Sequence, residues 1–401
     1  MRARNQQGLR TSTRQRGGGR RRTVSAAAAM AIGAMTLAAF APPASSTSVT
    51  TTTATVTVTA RPDAVQQALN TLVRDDGMPA ALASVKDRNG HTRTYTAGVA
   101  DLATGSKVPR DGQVRIGSNT KAFTAVVVLQ LVGEGKIGLD AKVDTYLPGL
   151  VRGEGIDGRR ITVRQLLQHT SGLPEYGMHI DDDELRHRYF EPRELIDIAL
   201  RYKADADPGE TWGYSNTNYV LAGLIVQKVT GRPLAEEIDR RVIKRIGLRH
   251  TYFPAPGDMA IRGPHPHGYH RSPADGPLRD FTEIDPSAGW AAGQLISTNS
   301  DLNLFFTALL AGRLLPAAQL AEMRTTVPAG TSGLRYGLGL TSRPLPCGGV
   351  YWGHGGDIPG YETRGGVTDD GRAANVTVTS IPTDEAAVQH VKDAVDRALC
   401  G

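Results

Sequence analysis

The sequence predicts an α+β fold: an antiparallel sheet assembled from both ends of the chain, covered by helices and interrupted by an all-helical subdomain. Strand-like segments cluster near the start of the folded region, at Ala80 to Lys86 and His91 to Gly98, and again after Tyr336. Helical patterns dominate between them, from about Leu139 to Ile284. Strands at both ends are most simply joined in one sheet, with a helical insertion over about residues 139–290. The 401 residues are too many for one small core and enough for two interlocked subdomains.

The elements follow in order. Residues 1–44 read as a signal peptide. Arg14 to Arg22 form a basic segment, and Ala26 to Ala41 follow as small and apolar residues too few to span a bilayer comfortably. Ala39-Phe40-Ala41 has small residues at cleavage spacing, with Ala44 as a second choice. A membrane anchor is the competing reading, disfavoured because the stretch is only weakly hydrophobic. Residues 45–60 are almost all Ser, Thr, Val and Ala without helical period, a flexible leader to a folded domain over residues 61–401. Val65, Leu69, Leu72 and Val73 recur at helical spacing. Asn89-Gly90 is the strongest short hairpin signal and joins the first two strands.

Ser118 to Glu134 reads as a helix with Ala122, Ala125, Val126, Leu129 and Val132 on its apolar stripe. Further helices are expected at Val163 to Gln168, Arg193 to Tyr202, Thr217 to Thr230, Pro233 to Ile246, Ser300 to Ala311 and Pro316 to Arg324. Asp181 to Glu184 reads as a solvated acidic loop. Tyr336 to Leu340, Val350 to Trp352, Tyr361 to Val367 and Asn375 to Ile381 read as strands between Gly-rich turns. Asp384 to Leu399 closes the chain as a helix.

Charge and motifs exclude several functions. The net charge of +6 suggests nucleic acid until the charges are located. Eight arginines and no acidic residue precede residue 45; without them 38 basic residues face 40 acidic ones. A nucleic-acid binder keeps its basic face in the folded part, so that class is set aside. The histidines between His265 and His270 lack a Cys or carboxylate at ligand spacing, and no metal or other cofactor is expected. No Gly-x-Ser-x-Gly elbow and no phosphate loop occur. Cys347 and Cys400 are expected to pair, as two distant thiols in an exported protein do, closing a loop of about fifty residues.

Three short motifs carry chemistry. Of nine lysines only Lys121 has a serine, Ser118, three positions earlier; of nine asparagines only Asn216 follows a tyrosine, Tyr214, by two. Of ten histidines only His354 has glycine, Gly356, two positions later. A serine hydroxyl needs a base within hydrogen-bond reach, and residues three apart on a helix share a face. Ser118 and Lys121 therefore read as nucleophile and activator, or alternatively as a helix cap and a solvated lysine. The base is either a neutral Lys121 or a Tyr214 phenolate favoured by a charged Lys121. Asn216 sits where it can also cap the next helix.

At these residues the chain resembles the serine β-lactamase and penicillin-binding superfamily, in particular serine D-alanyl-D-alanine carboxypeptidases and class C β-lactamases. The likeness runs from about Arg61 to the end and includes His169-Thr170-Ser171-Gly172-Leu173 and Gly353-His354-Gly355-Gly356. It implies a β-lactamase/transpeptidase-like fold with the active site between sheet and helical domain. Ser118, Lys121 and Tyr214 are then catalytic. Asn216 holds Ser118 and Lys121 in register and binds the substrate amide. His354 lends positive or hydrogen-bonding character to the cleft, and the backbone N–H of Asp357 joins that of Ser118 as an oxyanion hole. Trp290 lines the acyl pocket, or else is a core tryptophan. One departure stands out: Gly355 replaces a Thr or Ser that usually helps to hold a substrate carboxylate, and Asp357 brings negative charge. Arg343 is then the nearest candidate cation in sequence. The expected activity is an exported, monomeric D-alanyl-D-alanine carboxypeptidase of the cell-wall space, acting on peptidoglycan stem peptides and acylated by β-lactams. A β-lactamase, an esterase or D-amino-acid amidase, and a non-catalytic penicillin-binding sensor are the alternatives.

Overall fold

The computed structural model of the chain describes residues 63–330 and 333–401. The expected signal peptide and leader (residues 1–44 and 45–60) lie outside the described residues. The fold is α+β. A ten-stranded sheet runs in the order Val327–Pro328, Arg335–Tyr336, Thr341–Pro344, Val350–Gly353, Tyr361–Thr368, Ala373–Val378, Ala80–Lys86, Thr92–Asp101 and Ser106–Lys107, with Gly356–Ile358 added beside Tyr361–Thr368. All named pairings are antiparallel, and the two ends of the chain meet where Ala81 faces Val378.

Alternation along these strands sorts two faces. Ala81, Ala83, Val376 and Val378 pack under the two terminal helices, Ala64–Arg74 and Glu385–Cys400, with Leu69, Leu72, Val391 and Val395. The other face carries polar residues that meet helix Asn299–Leu310. Asn299 Nδ2 donates to Leu82 O at 3.2 Å, and Asn303 Nδ2 to Ser84 O at 2.9 Å. Thr377 Oγ1 donates to Asn299 Oδ1 at 2.8 Å. Two helix amides thus donate to strand carbonyls and one accepts from a strand hydroxyl, so most of this buried polar layer is paired.

The remaining core surrounds helix Thr120–Gly133, whose residues from Thr120 to Leu131 are all buried. The expected single apolar stripe is therefore only part of it: this helix is central and packs on every side. The helix also begins later than expected. Ser118 lies in a 3₁₀ turn, Gly117–Asn119, that leads into it.

Three other expectations are corrected. Asp181 to Glu184 is no loop, because Asp181 accepts from the Glu184 N–H at 2.8 Å and caps a short helix, Asp182–His187. The strand expected over Tyr336 to Leu340 stops at Tyr336, and its partner Thr341–Pro344 was unforeseen. Gly339, at φ +73°, turns the chain between them; a Cβ there would lie 2.6 Å from Ala125 of the central helix. The insertion is not purely helical, since Arg152–Gly153 pairs with Ile156–Asp157 and Tyr269–His270 with Arg279–Asp280. Among the described residues no helix is long and apolar enough to cross a membrane.

Cys347 and Cys400 form a disulfide across 53 residues, joining the Thr341–Pro344/Val350–Gly353 hairpin to the end of the last helix. Cys347→Ser is expected to lower stability by about 4 kcal/mol, through loss of a constraint on the unfolded chain. Denaturant unfolding of the variant beside the parent checks this.

Candidate active site

Gly117 makes the approach to Ser118 possible. Its φ is +47°, and a Cβ there would lie 2.9 Å from the Asp357 carbonyl oxygen. Gly356 has the same office on the facing strand, where a Cβ would meet Ile116 O at 1.9 Å. These two glycines let strand Gly356–Ile358 lie directly on the turn that carries Ser118, and so bring the Asp357 backbone beside it.

Lys121 is fully buried and reaches back along the helix. Its Nζ lies 2.9 Å from Ser118 Oγ, 2.6 Å from Asn216 Oδ1 and 3.0 Å from Ala292 O. The last two are acceptors only. A neutral amine has two hydrogens and one lone pair; both hydrogens must go to Asn216 and Ala292, leaving the lone pair toward the Ser118 hydroxyl. Burial pushes the Lys121 ammonium down to about 7, against the opposing pull of the Glu175 and Asp357 carboxylates. Of the two possible bases, neutral Lys121 is the one this environment favours. Burial drives the Tyr214 phenol upward, with Asp357 and Glu175 adding to the effect and Ser118 opposing it. Tyr214 exposes 38% of its surface and lines the cleft beside Ser118.

Asn216 occupies the N-cap position of helix Thr217–Thr230 but makes no side-chain capping bond. Its side-chain oxygen is committed to Lys121 instead, which decides between the two readings of this residue. Its backbone N–H donates to the Glu175 carboxylate, whose other oxygen accepts from the Gly177 N–H at 2.7 Å.

His354 was expected to lend positive or hydrogen-bonding character, and only the second is left to it. It is buried, and burial together with the nearby Lys121 ammonium pushes it down to about 3, so it supplies no positive charge. It belongs to a chain of neutral groups. Its Nδ1–H donates to Gly355 O, and its Nε2 accepts from Tyr336 O–H at 2.8 Å. The Tyr336 oxygen in turn accepts from His169 Nε2 at 3.1 Å. His169 Nδ1 accepts from the Ser215 N–H and the Asn218 amide, each at 3.2 Å. His169 ends helix Val163–Gln168 in the left-handed region, and its ring lies 4.3 Å from that of Tyr214. The chain of rings walls Tyr214 on its inner side.

Trp290 is not part of this assembly. Its φ of +29° turns the indole to the far side of helix Trp290–Gly293, where it packs on Gly223 and lines a separate cavity of about 530 Å3. Its neighbours Ala288, Gly289 and Ala292 face the site instead.

The cleft has two lobes that share Ser118, Tyr214, Asn216 and Asp357. One, of about 600 Å3, has apolar walls including Met178, Ile180, Leu185 and Ile358, and adds the Glu175 carboxylate to the shared Asp357. The other, of about 520 Å3, includes His354, Arg343, Arg364 and Lys392. Arg364 pairs with Asp357 at 2.6 Å and with buried Glu362 at 3.3 Å. The negative charge that Asp357 brings to the cleft is thus balanced from the neighbouring strand. Glu175, Arg364, Lys392 and Tyr336 escaped the sequence reading. Each comes from an element that carries no motif of its own, and only the alternation in Tyr361 to Val367 could have marked Arg364 as cleft-facing.

A serine held against the lone pair of a buried lysine, in a cleft beside a helix-covered antiparallel sheet, defines a serine hydrolase of the β-lactamase and penicillin-binding fold. The chain belongs to the Beta-lactamase family, whose profile matches residues 65–399. It is similar to Protein flp of Staphylococcus aureus (strain MW2), 28% identical over 192 residues, 47% of this chain and 38% of that protein. Penicillin-binding protein 4* of Bacillus subtilis (strain 168) is 29% identical over 159 residues, 39% of this chain and 34% of that one. The matches thus span little more than a third of these curated relatives. Among solved structures, a D-stereospecific amidohydrolase from Streptomyces sp. is 40% identical with a TM-score of 0.76, covering 82% of this chain and 97% of that one. D-amino acid amidase from Ochrobactrum anthropi SV3, complexed with L-phenylalanine amide, is 28% identical with a TM-score of 0.75, covering 84% and 96%.

Proposed function

We propose that the protein is a serine amidohydrolase that cleaves the amide bond following a D-configured amino acid through an acyl-enzyme on Ser118. The observation that carries this is the arrangement around Lys121, where two obligate acceptors leave the amine lone pair to the Ser118 hydroxyl. Neutral Lys121 takes the proton as Ser118 Oγ attacks the carbonyl. The backbone N–H groups of Ser118 and Asp357 receive the oxyanion. Tyr214, kept protonated by its surroundings, gives its proton to the departing nitrogen and recovers one from Lys121. Water then repeats the sequence to release the acid.

The D-preference is drawn from the likeness to a D-stereospecific amidohydrolase across 97% of its chain. Glu175 supports a substrate with an α-ammonium group, because it has no salt-bridge partner among the described residues and lines the apolar lobe. D-alanyl-D-alanine carboxypeptidase activity on peptidoglycan stem peptides is the second reading, favoured by the cations of the other lobe. We further infer export to the cell-wall space, a setting that a Cys347–Cys400 disulfide suits.

Hydrolysis of D-phenylalaninamide, L-phenylalaninamide, an acyl-D-Ala-D-Ala peptide and nitrocefin side by side is the test. D-phenylalaninamide is expected to exceed its L-enantiomer in kcat/KM by about 100-fold, with an acyl adduct on Ser118 seen by mass spectrometry. Rapid multiple turnover of nitrocefin with neither amide cleaved would instead indicate a β-lactamase.

A further inference from the structure

Two histidines and a tyrosine behind the cleft take no step in acyl transfer at Ser118. His169 closes helix Val163–Gln168, Tyr336 ends strand Arg335–Tyr336, and His354 precedes strand Gly356–Ile358; all three are buried. Their proton order is fixed from both ends. The Ser215 N–H can only donate, so His169 Nδ1 accepts and the ring proton sits on Nε2. The Gly355 carbonyl can only accept, so His354 holds its proton on Nδ1 and leaves Nε2 bare. Tyr336 completes the row, accepting from His169 Nε2–H at 3.1 Å and donating to His354 Nε2 at 2.8 Å. Each link has one hydrogen, and all point the same way. Both ends are backbone groups, so the row carries no proton to a substrate.

We propose that this row is a spacer: it sets the distance between the leaving-group acid, Tyr214, and the oxyanion donor, the Asp357 N–H. His169, Tyr336 and His354 are then positioning residues for turnover. This rests on the acyl-enzyme reading above and adds what holds its two charge-receiving groups in register. The ends of the row adjoin those groups. Ser215 lies between Tyr214 and Asn216, just before helix Thr217–Thr230. Gly355 runs directly into strand Gly356–Ile358, which carries Asp357. One end thus belongs to the insertion and the other to the ten-stranded sheet. The carbonyl oxygen and the departing nitrogen share one carbon, so their partners in the protein must be spaced to match. Imidazole and phenol rings are rigid, and a row of them with every hydrogen assigned holds a length that a flexible contact would not. The His169 ring, 4.3 Å from that of Tyr214, passes any shift of the row directly to the phenol.

Tyr336→Phe keeps the ring and removes both of its links. It is expected to lower kcat on D-phenylalaninamide by about 30-fold with KM within about 2-fold, since misplacement acts on turnover and not on ground-state binding. Burst-phase acylation of Ser118 by the p-nitrophenyl ester of D-phenylalanine, whose leaving group needs no proton from Tyr214, should fall by only about 5-fold. His354→Asn, which offers Gly355 a donor but leaves Tyr336 without an acceptor, should show the same pattern. The double variant should be no slower than the slower single one. Tyr361→Phe is the control. It removes an equally buried hydroxyl, bonded to Pro266 O at 2.8 Å, and should lower the melting temperature while kcat stays within about 2-fold. Nitrogen NMR of the parent should find His354 protonated on Nδ1 and His169 on Nε2; the other tautomer at either ring would break the row. A Tyr336→Phe protein that loses stability as Tyr361→Phe does but keeps its kcat, or that loses amide and ester rates equally, would overturn the spacer and spare the acyl-enzyme. A parent protein in which neither probe acylates Ser118 would remove both.

Discussion

Ser118→Ala and Lys121→Met are each expected to lower kcat/KM on D-phenylalaninamide by roughly 10^4- to 10^6-fold, and the double variant should be no worse than Ser118→Ala alone. The reason is geometric. The Ser118 hydroxyl has one proton to lose and one lone pair positioned to take it, so removing either partner removes the same step. Single-turnover kinetics with the three variants checks both the size and the non-additivity. The parent activity should rise with pH through about 7, as Lys121 loses its proton.

Folding stability should carry the same signature. Below about 7 Lys121 is charged in both states, and the full cost of burying it bears on the fold. Between about 7 and 10.5 the unfolded chain still holds a proton that the folded protein has released, so this contribution rises with pH. The linkage slope is about 1.4 kcal/mol per pH unit at most, and above 10.5 the contribution levels off. The stability of the parent relative to Lys121→Met, followed over that window, reports it. A flat difference would mean that Lys121 is charged when folded and that the base lies elsewhere.

Gly356→Ala is expected to lose about 3 kcal/mol or more of stability and about 10^2- to 10^3-fold in turnover. The new methyl would lie 1.9 Å from the Ile116 carbonyl, an approach that forces backbone apart rather than a flexible side chain aside. Strand Gly356–Ile358 must then lift from the Gly117–Asn119 turn, taking the Asp357 N–H away from the reacting carbonyl. Gly348→Ala is the control: it sits in an exposed turn with nothing within 4 Å of its Cβ position, at a φ of +90° that strains the backbone alone. Loss of turnover in Gly356→Ala but not in Gly348→Ala, measured with melting curves, isolates the packing effect.

What the sequence made legible divides along chain distance. Ser118 and Lys121 meet within one turn, and the pair Tyr214 and Asn216 straddles one helix start, so short spacing encodes them directly. Helix Thr217–Thr230 and strand Ala80–Lys86 were also readable to the residue, because period and turn residues mark them locally. Arg364 and Asp357 form a pair only through the strand register that sets Asp357 opposite Glu362, which no local pattern reveals. Tyr336 joins His169 to His354 across 167 and 18 residues, and its strand proved shorter than alternation suggested. Trp290 was open between the acyl pocket that the resemblance implies and a place against the core, and the sequence could not choose: the backbone angle at that single residue sends the ring to the other side of a four-residue helix.

The meeting of the chain's two ends in mid-sheet sets a timetable for synthesis. Ala81 pairs with Val378, so the first hairpin lacks its central neighbour until almost the whole chain has been made. At typical elongation rates of about 5–20 residues per second, that wait lasts roughly 15 to 60 s. Throughout it, strand Ala80–Lys86 offers an open edge with no permanent occupant. The nascent protein is therefore most exposed to chaperones, and to mispairing with other nascent chains, at a place that ends up as the most enclosed part of the sheet.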